Sequence, residues 1–355
     1  MSHSVLRARI AWWLMACAAM IWLTLVVGGI TRLTHSGLSI VQWQPLAGVM
    51  PPLDGAAWQA EFARYRESPE YRMVNAGMSL EEFKGIFWWE YGHRLLGRLD
   101  GLVLALPLLL LWRQRAVDAA LARRLAGIFV LGALQGALGW YMVKSGLAND
   151  PRVSQYRLAA HLALAFAIFG LLLWTALGQL RPREPVDAAQ PGLRRAGMAL
   201  LALLFVMAMS GALVAGIHAG KAYNTFPLMA GRLVPEGILM LDPWYLNFFN
   251  NPATVQFDHR LGAALLAVLV PWFLWRARGA GARARRAAAF VLAALALQIS
   301  LGIATLLLAV PVALGTAHQA GAMLLFGTLV WLNHELRAAP RPTNETAAPE
   351  GAAVV

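Results

Sequence analysis

Charge is what this sequence has least of. Only 14% of its residues are Asp, Glu, Lys or Arg, against roughly 25% in a soluble globular domain. That is too few to clothe a water-exposed surface. Cysteine is nearly missing: Cys17 stands alone among 355 residues. No disulfide can close within the chain, and no thiolate cluster can be built around a metal. Cys17 lies inside an apolar run and reads as a small buried residue. Acidic residues number 18 against 30 Lys and Arg, a formal net charge of +12. The arginines fall in short clusters between apolar runs, with no basic stripe and no aromatic-basic interleaving. This argues against a nucleic-acid partner.

What is present is apolar, 59% of the chain, in runs of about 20 residues, the length that crosses a hydrocarbon core of roughly 30 Å. Eight spans are predicted, near 10–30, 88–112, 124–144, 157–178, 194–217, 254–275, 287–310 and 314–336. The first follows Arg7 and Arg9. It is too long for a signal-peptide core and no A-x-A-like site follows it, so it reads as a retained helix. With eight spans, Arg113, Arg115, Arg123 and Arg124 share one side with Arg181, Arg183, Arg194 and Arg195. Arg276, Arg278, Arg283, Arg285 and Arg286 fall there too, as do Arg7, Arg9, Arg337 and Arg341. The positive-inside bias makes that side cytoplasmic, with both termini. The other side carries two segments, 35–86 and 218–253, rich in Pro, Trp, Tyr and Phe, which suit ordered loops over the bundle. The tail 338–355 reads as disordered.

The chain repeats itself. Glu90-Tyr-Gly-His93-Arg94-Leu matches Gln256-Phe-Asp-His259-Arg260-Leu. Leu134-Gln135-Gly-Ala-Leu-Gly139 matches Leu297-Gln298-Ile-Ser-Leu-Gly302. Gly28 to Gly37 matches Gly211 to Gly220, with His35 opposite His218. Pro45-Leu-Ala-Gly48 echoes Pro227-Leu-Met-Ala-Gly231, and Ala160-His161 matches Ala317-His318. The fold class is therefore an all-α polytopic membrane protein, eight helices in two pseudosymmetric four-helix bundles. The halves are 1–180 and 181–337. Each has an even number of spans, so corresponding residues face the same side of the membrane.

Four histidines carry the chemistry: His93, His161, His259 and His318, one in each even span. Each sits four to six residues from the non-cytoplasmic end, roughly 6–9 Å deep along the helix. A polar ring in hydrocarbon usually faces a partner, cavity or cofactor. Interhelical hydrogen bonding explains one such ring, but poorly explains four at one depth. Two histidines on facing helices can hold a planar cofactor from both faces, so two haems, one per bundle, are expected. A single four-histidine metal site between the halves is the alternative. Arg94 and Arg260 follow their histidines and suit haem propionates, or they snorkel to the interface. Arg98 and Arg32 are weaker candidates for the same role. The halves differ at Glu90, one turn before His93, which faces Gln256 in the repeat. A carboxylate beside iron can move protons, steer water or stabilise a cationic carbon, and Gln cannot titrate; it can also simply hydrogen-bond a ligand. The N-terminal bundle is accordingly expected to do the chemistry. His35 and His218 suit a turn or a spare ligand. Gln135 and Gln298 suit interhelical hydrogen bonds. His3 and His334 receive no role.

Together these motifs resemble haem A synthase, the membrane enzyme of haem-copper oxidase assembly. The resemblance covers roughly residues 10–336. It rests on Gly28-Gly-Ile-Thr-Arg32-Leu-Thr, Glu90-Tyr-Gly-His93-Arg94, Asn224-Thr-Phe-Pro-Leu-Met229, Phe257-Asp-His259-Arg260 and Gly315-Thr-Ala-His318-Gln. It implies an oxidoreductase of the inner membrane that converts haem O to haem A by oxidising the C8 methyl to a formyl group. It implies His93 and His161 around the substrate haem with Glu90 essential nearby, and a resident haem B on His259 and His318 as electron relay. The implied partners are haem O, an electron donor left unspecified, the lipid itself, and a haem O synthase with oxidase assembly factors; a homo-oligomer is left open. Some members carry a cysteine pair in the first large loop. Segment 35–86 has none, which matches the proteobacterial and mitochondrial branch and puts a thiol-based mechanism in doubt. Two rivals remain: a di-haem electron carrier of the cytochrome b kind, and a transporter relaying protons through its histidines.

Overall fold

The computed structural model describes residues 3–44, 47–148, 150–180 and 191–337. The tail 338–355, Arg181, Arg183, Arg341, and Pro45 and Leu46 of the loop echo lie outside them. Eight helices are long and apolar enough to cross a membrane. They are α1 (His3–Leu33), α2 (Leu80–Arg113), α3 (Ala119–Gly146), α4 (Gln155–Leu180), α5 (Pro191–Gly216), α6 (Pro252–Arg276), α7 (Ala282–Leu307) and α8 (Val312–Glu335). Among the described residues the sole β feature is an isolated bridge, Met229 with Arg232. In hydrocarbon a helix satisfies its own backbone, so apolar runs of this length form helices.

Several helices outrun their apolar stretches. The 34 residues of α2 rise about 51 Å, well beyond a hydrocarbon core of roughly 30 Å. The first two turns carry Glu81, Glu82 and Lys84 and begin with a capping box in which Ser79 and Glu82 satisfy each other's backbone N–H groups. Hydropathy marks the apolar part alone, so the predicted start at 88 is eight residues late. The segment before α2 is built around two helices, Gly55–Arg66 and Pro69–Met73. They pack Tyr65 on Phe83 and Phe87, surrounded by Trp58, Phe62 and Tyr71. This aromatic platform lies over the N-terminal bundle as an ordered layer.

Within the first half, α1 packs on α2 and α4, and α3 packs on the same two; within the second, α5 packs on α6 and α8, and α7 on the same two. The halves meet through α1–α8, α4–α5 and α4–α8. Exchanging the halves turns α1–α8 into α5–α4 and leaves α4–α8 as itself. The packing at α4–α8 is reciprocal. A Cβ on Gly327 would meet Phe169 at 3.1 Å, and one on Gly170 would meet Phe326 at 3.0 Å. Phe169 with Phe326, and Gly170 with Gly327, are repeat equivalents. Such exchanged contacts are what a two-fold interface produces, and the glycines bring the two helices close. Trp22 Nε1 donates to Ala320 O at 3.1 Å and Gln319 Nε2 to Leu25 O at 3.1 Å, stitching α1 to α8.

Candidate functional site

Each intramembrane histidine lies against a glycine of the neighbouring helix. A Cβ built on Gly28 of α1 would meet His93 Nε2 at 2.7 Å; on Gly139 of α3, His161 Cε1 at 3.0 Å; on Gly211 of α5, His259 Cε1 at 3.1 Å; on Gly302 of α7, His318 Cε1 at 2.8 Å. Gly28 and Gly211 are repeat equivalents, as are Gly139 and Gly302. The four rings are half-buried and seated on bare backbone, where any larger residue would displace them. The glycines stand in the repeated motifs, but which ring each one faces depends on helix pairing, which the sequence does not display.

Polar groups hold the rings from behind. Gln135 Nε2 donates to His161 O at 3.0 Å and lies 3.5 Å from His161 Nε2. Gln298 Nε2 donates to His318 O at 3.0 Å and lies 3.2 Å from His318 Nδ1. The expected interhelical bonds of the two glutamines therefore run to the histidines themselves. Ser210 Oγ lies 2.8 Å from His259 Nδ1. His161 Nδ1, Gln135 Oε1, Gln298 Oε1 and Arg260 Nε are enclosed with no hydrogen-bond partner, a group of orphaned polar atoms flanking the histidines.

The two pairs are not alike. The His259 and His318 ring centres are 6.5 Å apart with the rings 81° to each other. Two imidazoles on opposite sides of one metal, with bonds of about 2.0–2.1 Å, put their ring centres about 6.3 Å apart. His93 and His161 make no such ring contact. Among the described residues no three of His, Cys, Asp and Glu gather as a metal site, so the four histidines do not form one cluster.

Glu90 is 2% exposed, and both its oxygens are engaged. Oε1 accepts Arg94 Nη2 at 2.6 Å and Nε at 3.0 Å; Oε2 accepts Ser39 Oγ at 2.7 Å and the Ile40 N–H at 2.7 Å. Arg94 also donates to Ile40 O at 2.7 Å and Gln42 O at 3.1 Å, and Arg98 to Gln44 O at 2.8 Å. Together they clamp segment 39–44 over the N-terminal bundle. In the second half Gln256 Nε2 donates to Ala219 O at 2.7 Å and Gln256 Oε1 accepts Arg260 Nη2 at 3.0 Å. Arg260 continues to Tyr223 O at 2.9 Å and Thr225 O at 2.8 Å. Both arginines thus tie down loops. The ion pair of the first half leaves no free Nε, whereas Arg260 keeps one.

His35 and His218 both stand in left-handed backbone, φ 52° and 55°, at the turns that end α1 and α5. Their rings stack on each other at 6.4 Å and 26°, so repeat equivalents meet between the halves. Burial holds both imidazoles below their ordinary range, helped by Lys221 and Arg32 at His35 and by Arg32 at His218. Arg32 donates to Ala215 O, the backbone of its own repeat equivalent. Glu70 is a titratable group that the sequence motifs do not single out. Glu70, 4% exposed, lies 3.4 Å from the Tyr65 hydroxyl, which accepts Asn75 Nδ2 at 2.7 Å. Burial first, and Glu90 second, push its carboxyl up to about 7.

A family model described as "Cytochrome oxidase assembly protein" matches residues 11–330. A protein of Nitrosospira multiformis named "Heme A synthase" is 56% identical over 332 residues, 92% of this chain and 93% of its own. Proteins with the same name from Nitrosomonas eutropha and Parvibaculum lavamentivorans are 52% and 50% identical, each over 92% of this chain and 93% and 94% of their own. Matches of this extent cover all eight helices and the four histidines. The chain belongs to the cytochrome oxidase assembly protein family, among its heme A synthases.

Proposed function

We propose that the protein oxidises the C8 methyl of haem O to the formyl group of haem A, for cytochrome oxidase biogenesis. The observation that carries this reading is the duplicated seat: two histidines per bundle, each on a glycine, with one pair already spaced for an iron between them. The methyl carbon gives up two electrons on becoming an alcohol and two more on becoming an aldehyde. The first step also adds an oxygen atom, so the protein must bind a substrate and exchange electrons with a redox partner, and the two bundles would divide that work.

His259 and His318 would hold haem B, which supplies a one-electron relay when bound. The 6.5 Å spacing and the Ser210 contact to His259 Nδ1 support a resident group there, since an imidazole fixed at Nδ1 presents Nε2 to a metal. Arg260 Nε is the enclosed donor a propionate would take. His93 and His161 would bracket haem O. Their lack of ring contact suits a ligand that enters and leaves. Glu90 and Arg94 position segment 39–44 at this site, and Glu90 is a titratable group where the other half has Gln256. Arg94 would meet a propionate through donors it now shares with Ile40 and Gln42. On this reading residues 1–180 form the catalytic half and 181–337 the haem B half. The arginine clusters support an inner-membrane protein with cytoplasmic termini and both haem sites toward the periplasm.

The test is to purify the protein from cells that make haem O and examine its pigment as the pyridine haemochrome. Haem A or a hydroxylated haem O should appear, and His93→Ala should remove both. Haem O recovered unaltered from the folded wild-type protein would refute the reading and favour an electron carrier.

A further inference from the structure

Below the N-terminal histidines lies a carboxylate of which one oxygen has no partner in the packing. Asp100 follows His93 by seven residues on α2, so it occupies the same helix face about 10.5 Å further in. Its side chain leans toward the helix N-terminus, toward the histidine. Asp100 Oδ2 accepts Thr24 Oγ1 at 2.8 Å. Thr24 is one turn before Gly28, the glycine that seats His93. Asp100 Oδ1 is enclosed and has no hydrogen-bond partner. An acceptor left unpaired among apolar helices costs stability.

The fold itself does not need it. Repeat equivalence places Leu266 at the position of Asp100 and Met207 at that of Thr24; Cys17, further in on α1, answers to Leu200. Leu266 and Leu200 are buried. The C-terminal bundle therefore seals with hydrocarbon the place where the N-terminal bundle keeps a polar pair. This asymmetry lies beneath the ligands, and it is independent of the one at Glu90.

We infer that Asp100 and Thr24 form a hydroxyl-recognition site in the N-terminal bundle, where Asp100 Oδ1 accepts a hydrogen bond from the alcohol at the root of the isoprenoid chain of haem O. The inference rests on the proposed function. With propionates at the arginine end, the opposite edge of the macrocycle faces inward, and that edge of haem O carries the hydroxyalkyl chain. Haem B has a vinyl group there and offers no donor. A site that hydrogen-bonds a substrate hydroxyl rejects the analogue lacking it. The pair thus selects haem O over haem B, and the apolar Leu266 and Met207 suit a site for haem B.

The test is a Soret titration of the purified full-length protein with haem O and, separately, haem B, comparing wild type with Asp100→Leu and Asp100→Asn. The C-terminal site contributes equally to each protein, so the difference reports the N-terminal one. Leucine fills the equivalent place in the other bundle, so D100L is expected to fold. A lost hydrogen bond to a charged group predicts about tenfold weaker haem O binding in D100L, with haem B unchanged. D100N, which keeps a carbonyl acceptor, should stay close to wild type. D100L that binds haem O normally, or loses both haems alike, overturns the inference. A wild-type protein that binds neither haem would refute the proposed function itself.

Discussion

Replacing Gly302 by alanine tests the seat of His318 with a single carbon. The added Cβ would stand 2.8 Å from His318 Cε1, where ordinary carbon contacts are about 3.5–4.0 Å. The ring must withdraw by roughly 0.7–1.2 Å, or α7 and α8 must part. Without a ligand the imidazole can swing aside, and alanine strengthens the helix by up to about 1 kcal/mol, so the protein should fold. With an iron held between His318 and His259 the ring cannot move freely. Overpacking of this kind costs about 1–3 kcal/mol, which is roughly 5- to 150-fold in affinity. Gly211→Ala crowds His259 less, at 3.1 Å, and should cost less. Gly101→Ala, on α2 with nothing near its Cβ, is the control. Haem per chain and the Soret maximum, measured after purification in mild detergent, should rank the control at wild type, then Gly211→Ala, then Gly302→Ala. A Gly302→Ala protein with full haem content and an unshifted Soret band would show that the glycine seats are packing alone.

Two further predictions concern the aromatic platform and the clamped segment beside it. The Glu70 carboxyl is raised from 4.5 to about 7, so the folded layer holds its proton more tightly than the unfolded chain does. Its stability should be full below about pH 4.5 and fall as pH climbs to about 7, by up to about 3 kcal/mol. Hydrogen exchange of residues 55–73 should accelerate across that window beyond the intrinsic rate, and Glu70→Gln should abolish the slope; an identical slope in the variant would clear Glu70. Glu90→Gln places an amide donor against either the Arg94 donors or the Ile40 N–H, a mispairing of about 1–3 kcal/mol. Protease cleavage within 35–44 should rise in that variant, and wild-type resistance would mean the clamp does not depend on the ion pair.

Much of this architecture is readable from the chain because the membrane narrows the choices. Apolar runs and arginine clusters place eight helices, and the matched motifs around His93, His161, His259 and His318 locate the seats. What escapes is whatever depends on helix neighbours. Gly28 and Gly139 look like any repeated glycine until α1 is set beside α2 and α3 beside α4. The aromatic platform of Tyr65, Phe83 and Phe87 escapes a hydropathy reading, because these rings stand on helical turns that also carry charged residues such as Glu61, Arg64, Glu82 and Lys84. Glu90 could be singled out by comparison with Gln256, but its bonds to Ser39 and Ile40 come from a loop that no helical spacing predicts. Asp100 against Leu266 is legible in the same repeat once the register is extended beyond the histidine motifs.

The account stands on two separate haem seats with different occupants. The direct measurement is the identity and amount of haem extracted per chain from purified His161→Ala and His318→Ala proteins made in the presence of haem O. The account predicts that His318→Ala loses haem B and keeps haem O or its oxidised products, while His161→Ala loses those and keeps haem B. Loss of both haem types in either single variant, or of the same type in both, would contradict it.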